Sequence, residues 1–151
     1  MRELGEVIGR ELRGGEVIEL IGDLGAGKTT FAKGLASGLG ISEKIQSPTF
    51  NITLNYPARD NLELNHYDFY RLNDPGIMKM EIAENSRNPH NITLIEWGEN
   101  VADILPQTIK IRINYLAEDG REVLLEIPED LSYLESAVKL FSRKLTEGDE
   151  V

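Results

Sequence analysis

The stretch "VIELIGDLGAGKTTFAKGLASGLG" (17–40) constrains this chain more than any other part of it. "EVIELIG" (16–22) is apolar enough to read as a strand buried on both faces, as a central parallel strand is. Phe31, Leu35 and Leu39 then recur at helical spacing over roughly 27–38, and Gly40 marks the stop. Between strand and helix, Gly22, Gly27, Lys28 and Thr29 satisfy G-x-x-x-x-G-K-[ST], with Gly25 inside the loop. Several backbone N–H groups can converge on a phosphate chain only where bulky side chains are absent and positive φ is allowed. A lysine then adds a movable positive charge at the β/γ-phosphates, and a threonine hydroxyl can ligate Mg²⁺. The helix N-terminus lends a partial positive charge beneath them. By chance such a pattern arises in a chain this long on the order of 1 time in 100. Its strand-to-helix context is the one that phosphate binding demands.

The remaining composition limits the alternatives. The 151 residues suit one domain spanning 1–151 with a full core, and 40% hydrophobic against 28% charged residues is a globular balance rather than a disordered one. No apolar run reaches the ~18 residues of a membrane helix, and the charged, amphipathic start "MRELGEVIGREL" is unlike a signal peptide. The absence of cysteine excludes disulfides and thiolate metal sites and allows a cytoplasmic setting. With 26 acidic against 16 basic residues, the formal charge of −10 argues against gripping DNA or RNA unaided. If nucleic acid is involved, a partner holds it.

Leu4, Val7, Ile8 and Leu12 predict a helix over 2–13, ended by Gly14-Gly15. "NITLNY" (51–56) and "LELNHYDF" (62–69) alternate as two strands of a hairpin about "PARDN", and "GIMKMEIAENS" (76–86) predicts a helix. "NITLIEW" (91–97) reads as a second buried strand. "TIKIRINYL" (108–116) and "REVLLEI" (121–127) form a hairpin about "AEDG", and 131–145 is an amphipathic helix. The expected fold is α/β: a three-layer sandwich of the P-loop NTPase kind, with a mixed, mainly parallel sheet and antiparallel hairpin additions.

A Mg²⁺–nucleotide site calls for a carboxylate at the C-terminal end of a strand neighbouring the loop. Glu96 ends "ITLIE" and Asp68 ends "LNHYD". Glu96, on the more deeply buried strand, is favoured for the metal; Asp68 is the alternative, as a water-positioning or magnesium-side group. Thr49 in "SPTF" can bring a hydroxyl over the γ-phosphate as switch loops do, and Arg71 can pair with phosphate or with Asp68. His66 reads as a packed strand residue, neither His66 nor His90 has a zinc-like partner, and Trp97 reads as core or rim packing. No N-K-x-D segment is present, which favours ATP over GTP.

Taken in order, "LGEVIGRELRGGEVIELIGDLGAGKTTFAKGLASGLGI" (4–41), "SPTF" (47–50), "HYDFYRLNDP" (66–75) and "IEWGE" (95–99) resemble the TsaE (YjeE-like) family. These are small bacterial ATPases required for threonylcarbamoyladenosine formation in tRNA. The resemblance implies that ATP is bound by Asp23, Leu24, Gly25, Ala26, Gly27, Lys28, Thr29 and Thr30. It implies Mg²⁺ on Thr29 and Glu96, a catalytic set of Lys28, Asp68 and the switch-loop Thr49, and a nucleotide-side hairpin turn at Gly120 and Arg121. It further implies a cytoplasmic ATPase, slow alone, that is stimulated by the transferase TsaD with its paralogue TsaB and drives or resets their cycle; tRNA is met only indirectly. Two departures stand out. Family members often carry a further stretch before the first helix, some of it near the adenine, and "GIMKMEIAENSRNPHN" (76–91) lacks the family's usual flavour.

The rival reading is a small-molecule P-loop kinase. Such kinases usually carry an arginine-bearing lid, and "VADILPQT" (101–108) contains no arginine. A nucleotide-dependent binding module without turnover is the third.

Overall fold

The computed structural model describes residues 1–23, 25–46, 53–70, 76–117 and 120–148. Six strands form one sheet in the order β2-β3-β4-β1-β5-β6. They are β1 (Val17–Ile21), β2 (Thr53–Pro57), β3 (Glu63–Asp68), β4 (Asn91–Glu96), β5 (Thr108–Tyr115) and β6 (Arg121–Glu126). The four inner strands are mutually parallel, while β2 and β6 close the two edges as antiparallel hairpin partners of β3 and β5. The helices are α1 (Arg2–Glu11), α2 (Lys28–Gly38), α3 (Ile77–Asn85) and α4 (Ser132–Gly148).

Alternation along the inner strands feeds two cores. Ile18, Leu20, Leu64, Ile92, Leu94 and Ile111 pack beneath α1, α2 and α4, against Ile8, Leu12, Phe31, Leu35 and Leu134. Val17, Tyr67 and Ile95 point the other way, toward Ile82 of α3 and Val101 of a short 3₁₀ helix, Gly98–Ile104. Helices therefore cover both faces, the three-layer arrangement expected. No helix among the described residues is long and apolar enough to cross a membrane.

The α1–α2 contact explains glycines inside helices, where they are otherwise costly by about 1 kcal/mol each. Gly5 and Gly9 of α1 face Gly34 and Gly38 of α2, and a Cβ at any of them would collide with the other helix's backbone. Small residues at this crossing let α1 lie directly against α2 and bring Met1 beside Gly27 of the loop.

"LELNHYDF" forms the expected hairpin strand and is less buried than β4, with His66 packed as the sequence suggests; β3 also lies inside the sheet, between β2 and β4, with Leu64, Asn65, His66 and Tyr67 all buried. Its polar residues are inward-facing.

Candidate functional site

Parallel strands carry ligands at their carboxyl ends, where the chain turns out of the sheet. Here β1, β3 and β4 end together. Glu96 is in register with Leu20 of β1 and with Asp68 of β3, so two carboxylates stand side by side next to the loop that leaves β1. The loop is built on positive φ at Gly25 (81°) and Gly27 (110°). A side chain would fit at Gly25, where nothing lies within 4 Å of a Cβ, so the backbone angle is what calls for glycine. Ala26 N–H donates to the Asp23 carbonyl at 3.1 Å, and Phe31 N–H to Gly27 at 3.0 Å, which starts α2.

These pieces enclose a pocket of about 260 Å³, walled by Lys28, Thr29, Thr30, Asp68, Glu96 and Trp97, with Gly25 and Gly27 at its lip. Five residues singled out in sequence as ATP-, metal- or water-side groups (Lys28, Thr29, Thr30, Asp68 and Glu96) thus meet in one cavity. Thr29 and Thr30 are exposed, and Asp23 lies on the exposed side of the loop. Leu24, Thr49 and Arg71 lie outside the described residues.

Lys28 is buried, its Nζ 4.0 Å from the centroid of the Trp97 ring. Burial holds its ammonium below the ordinary lysine range, and the negative charges of Glu96, Asp68 and Asp23 pull it part of the way back. Trp97 follows Glu96 in a left-handed conformation (φ 57°), which turns the chain off β4 and presents the indole to Lys28. The Tyr70 ring lies 4.9 Å from it, and Tyr70 N–H donates to Asp68 Oδ1 at 3.0 Å.

Glu96 is buried, only 4% exposed, and His66 Nε2 lies 2.9 Å from its Oε2. The hairpin turn also reaches the loop: Arg121 Nε donates to the Ala26 carbonyl at 3.0 Å while its guanidinium stacks on Tyr115. Gly120 sits beside it and accepts from Arg121 Nη1 at 3.0 Å. Three features escaped sequence reasoning: the His66–Glu96 pair, the Lys28–Trp97 stack and the contact from Arg121 to Ala26. Each joins residues distant in the chain; the only sequence signal was polar His66 two positions before Asp68.

A six-stranded mixed sheet with a G-x-x-x-x-G-K-T loop between β1 and α2 is a P-loop NTPase fold. The crystal structure of Bacillus subtilis YdiB superposes on it with a TM-score of 0.73 at 30% identity, covering 91% of this chain and 86% of that one. Residues 1–123 match the family model described as "Threonylcarbamoyl adenosine biosynthesis protein TsaE". The Treponema pallidum tRNA threonylcarbamoyladenosine biosynthesis protein TsaE is 45% identical over 120 residues, 79% of this chain and 87% of its own. The Streptomyces coelicolor protein of the same name is 38% identical over 122 residues, covering 79% and 82%. The chain belongs to the TsaE family.

Proposed function

We propose that this chain is a single-domain, cytoplasmic ATPase that binds Mg²⁺–ATP in the 260 Å³ pocket. It serves threonylcarbamoyladenosine formation in tRNA by driving or resetting the TsaB–TsaD complex, and it turns over slowly until that partner binds. The observation that supports this most is the meeting of Lys28, Thr29, Asp68 and Glu96 around one cavity at the N-terminus of α2.

The donor set fits magnesium: a threonine hydroxyl and a carboxylate are hard oxygen ligands, and no group of three His, Cys, Asp or Glu able to cage a metal occurs among the described residues. Such a site suits an ion that arrives with the phosphates and keeps several waters. Thr29 and Glu96 would hold it, directly or through water, and it would neutralise charge on the β- and γ-oxygens. The loop N–H groups from Asp23 to Thr30 orient the phosphates, and Lys28 exchanges the indole for them. Asp68, beside Glu96 on β3, positions the attacking water. Gly120 and Arg121 steady the loop from the hairpin side. Thr49 and Arg71 keep the switch and charge-supplying roles that the sequence suggests.

Calorimetric titration with Mg²⁺–ATP, alongside thermal unfolding, tests this reading. Nucleotide at ~100 times its Kd should stabilise the wild type by about 2.7 kcal/mol. Lys28→Ala should lose most of that gain, and GTP should give less. Equal stabilisation of wild type and Lys28→Ala would count against the site.

A further inference from the structure

The Glu96 carboxylate has two claimants. One is Lys28, whose buried ammonium it attracts. The other is His66, two residues before Asp68 on β3 and therefore on the same face of the sheet. His66 is in register with Leu94, so its ring reaches Glu96 along the diagonal between β3 and β4. Nε2 and Glu96 Oε2 are 2.9 Å apart, with side chains only 2% and 6% exposed. A carboxylate can only accept, so the proton of this bond sits on Nε2. Nδ1 has no hydrogen-bond partner among the described residues. Glu96 Oε1 likewise makes no bond there, although Glu96 lines the nucleotide pocket.

As packing alone this is a poor choice. An apolar side chain in the middle of β3 would bury no unpaired nitrogen, whereas an unsatisfied buried polar atom is a net cost to folding. The bond does one thing an apolar residue cannot: it ties down Oε2 and so fixes which carboxylate oxygen turns to the pocket. Without it, Glu96 can swing onto the Lys28 ammonium.

We propose that His66 is a positioning residue, whose Nε2–H holds Glu96 with Oε1 presented to the metal side of the nucleotide site. The proposal rests on the reading of Glu96 as the metal-side carboxylate. Partners of this kind, once removed, typically cost 10–100-fold in metal affinity.

The test is Mn²⁺ affinity for the protein–ADP complex, read by electron paramagnetic resonance, beside ADP affinity measured calorimetrically in EDTA. His66→Leu should weaken Mn²⁺ about 10-fold or more and leave metal-free ADP binding unchanged. His66→Gln, whose amide nitrogen can take the place of Nε2, should recover most of the loss. His66→Asn, too short to reach, should not, and this pair decides the question if the leucine variant fails to fold. Glu96→Gln serves as the control. If Glu96→Gln weakens Mn²⁺ while the His66 variants match wild type, the positioning role is overturned and the metal reading stands. If Glu96→Gln itself leaves Mn²⁺ affinity intact, the metal reading fails and the proposal falls with it. Equal loss in His66→Gln and His66→Asn would also overturn it, since the hydrogen bond would then not be the cause.

Discussion

The Lys28 ammonium rests over the face of Trp97, 4.0 Å from the ring centroid, at the wall of the candidate nucleotide pocket. A cation–π contact is worth about 0.5–2 kcal/mol. Charge-assisted hydrogen bonds are worth about 1.5–3 kcal/mol each. A phosphate arriving as proposed would therefore win the lysine, and the indole would lose its cation.

Trp97 is the only tryptophan in the chain, so its emission reports that exchange. Titration with Mg²⁺–ADP should change the fluorescence saturably. Lys28→Ala should start from a different emission and respond weakly. An unchanged emission at calorimetrically confirmed saturation would show that Lys28 stays on the ring.

Glu19 gives the pH prediction. It lies buried on β1 beside a cleft of about 350 Å³, and desolvation raises its carboxyl above the ordinary value, with Lys110 pulling the other way. A raised folded pKa means that folding favours the proton: no cost falls below the unfolded value of 4.5, and stability is lost as pH rises through the folded value. Glu19→Gln should therefore raise the Tm at pH 7, with the gain fading as pH drops through the raised folded value and gone below 4.5. A gain that persists at low pH would locate the effect in packing instead.

Gly9 tests the helix crossing. Alanine gains about 1 kcal/mol in helix propensity, but its Cβ would strike the Leu35 carbonyl. Overpacking costs about 1–3 kcal/mol and should prevail. Gly9→Ala should lower stability by about 1 kcal/mol in urea denaturation. A stabilised variant would mean that α1 shifts away freely.

Arg121 tests the tie between hairpin and loop. Arg121→Ala removes the bond to Ala26, worth about 0.5–1.5 kcal/mol. Nucleotide affinity should fall by about 2- to 10-fold in calorimetry, because the loop loses a support it needs when binding phosphate. Unaltered affinity would confine Arg121 to the hairpin.

What the sequence made legible was what is local. The loop from Gly22 to Thr29 and its flanking strand and helix are continuous in the chain, and their apolar spacing survives folding intact. The hairpins were readable because each turn is short. Glu96 could be favoured because "NITLIE" is apolar enough to be central, and β4 is indeed buried throughout. The interior position of β3 was only partly readable: His66 reads as a packed strand residue and is one, but nothing local in the chain says that β4 flanks β3 on the side away from its hairpin partner β2. His66 and Glu96 are thirty residues apart, and only the parallel register brings them into contact. The left-handed turn falls on Trp97 rather than on a glycine, so the sequence does not announce it.

If ATP is hydrolysed in the pocket shared by Lys28, Asp68 and Glu96 and accelerated in trans, turnover depends on both the site and the partner. In P-loop enzymes, charge or order supplied by a partner is worth ~10³–10⁵ in rate. Steady-state phosphate release should be measured for the chain alone and with stoichiometric TsaB–TsaD, for wild type and Asp68→Ala. Turnover should be slow alone and rise markedly with the partner. Asp68→Ala should bind ATP normally yet turn over at least ~10²-fold more slowly in both conditions. Brisk turnover by the isolated wild type, unchanged by the partner and by Asp68→Ala, would contradict that dependence.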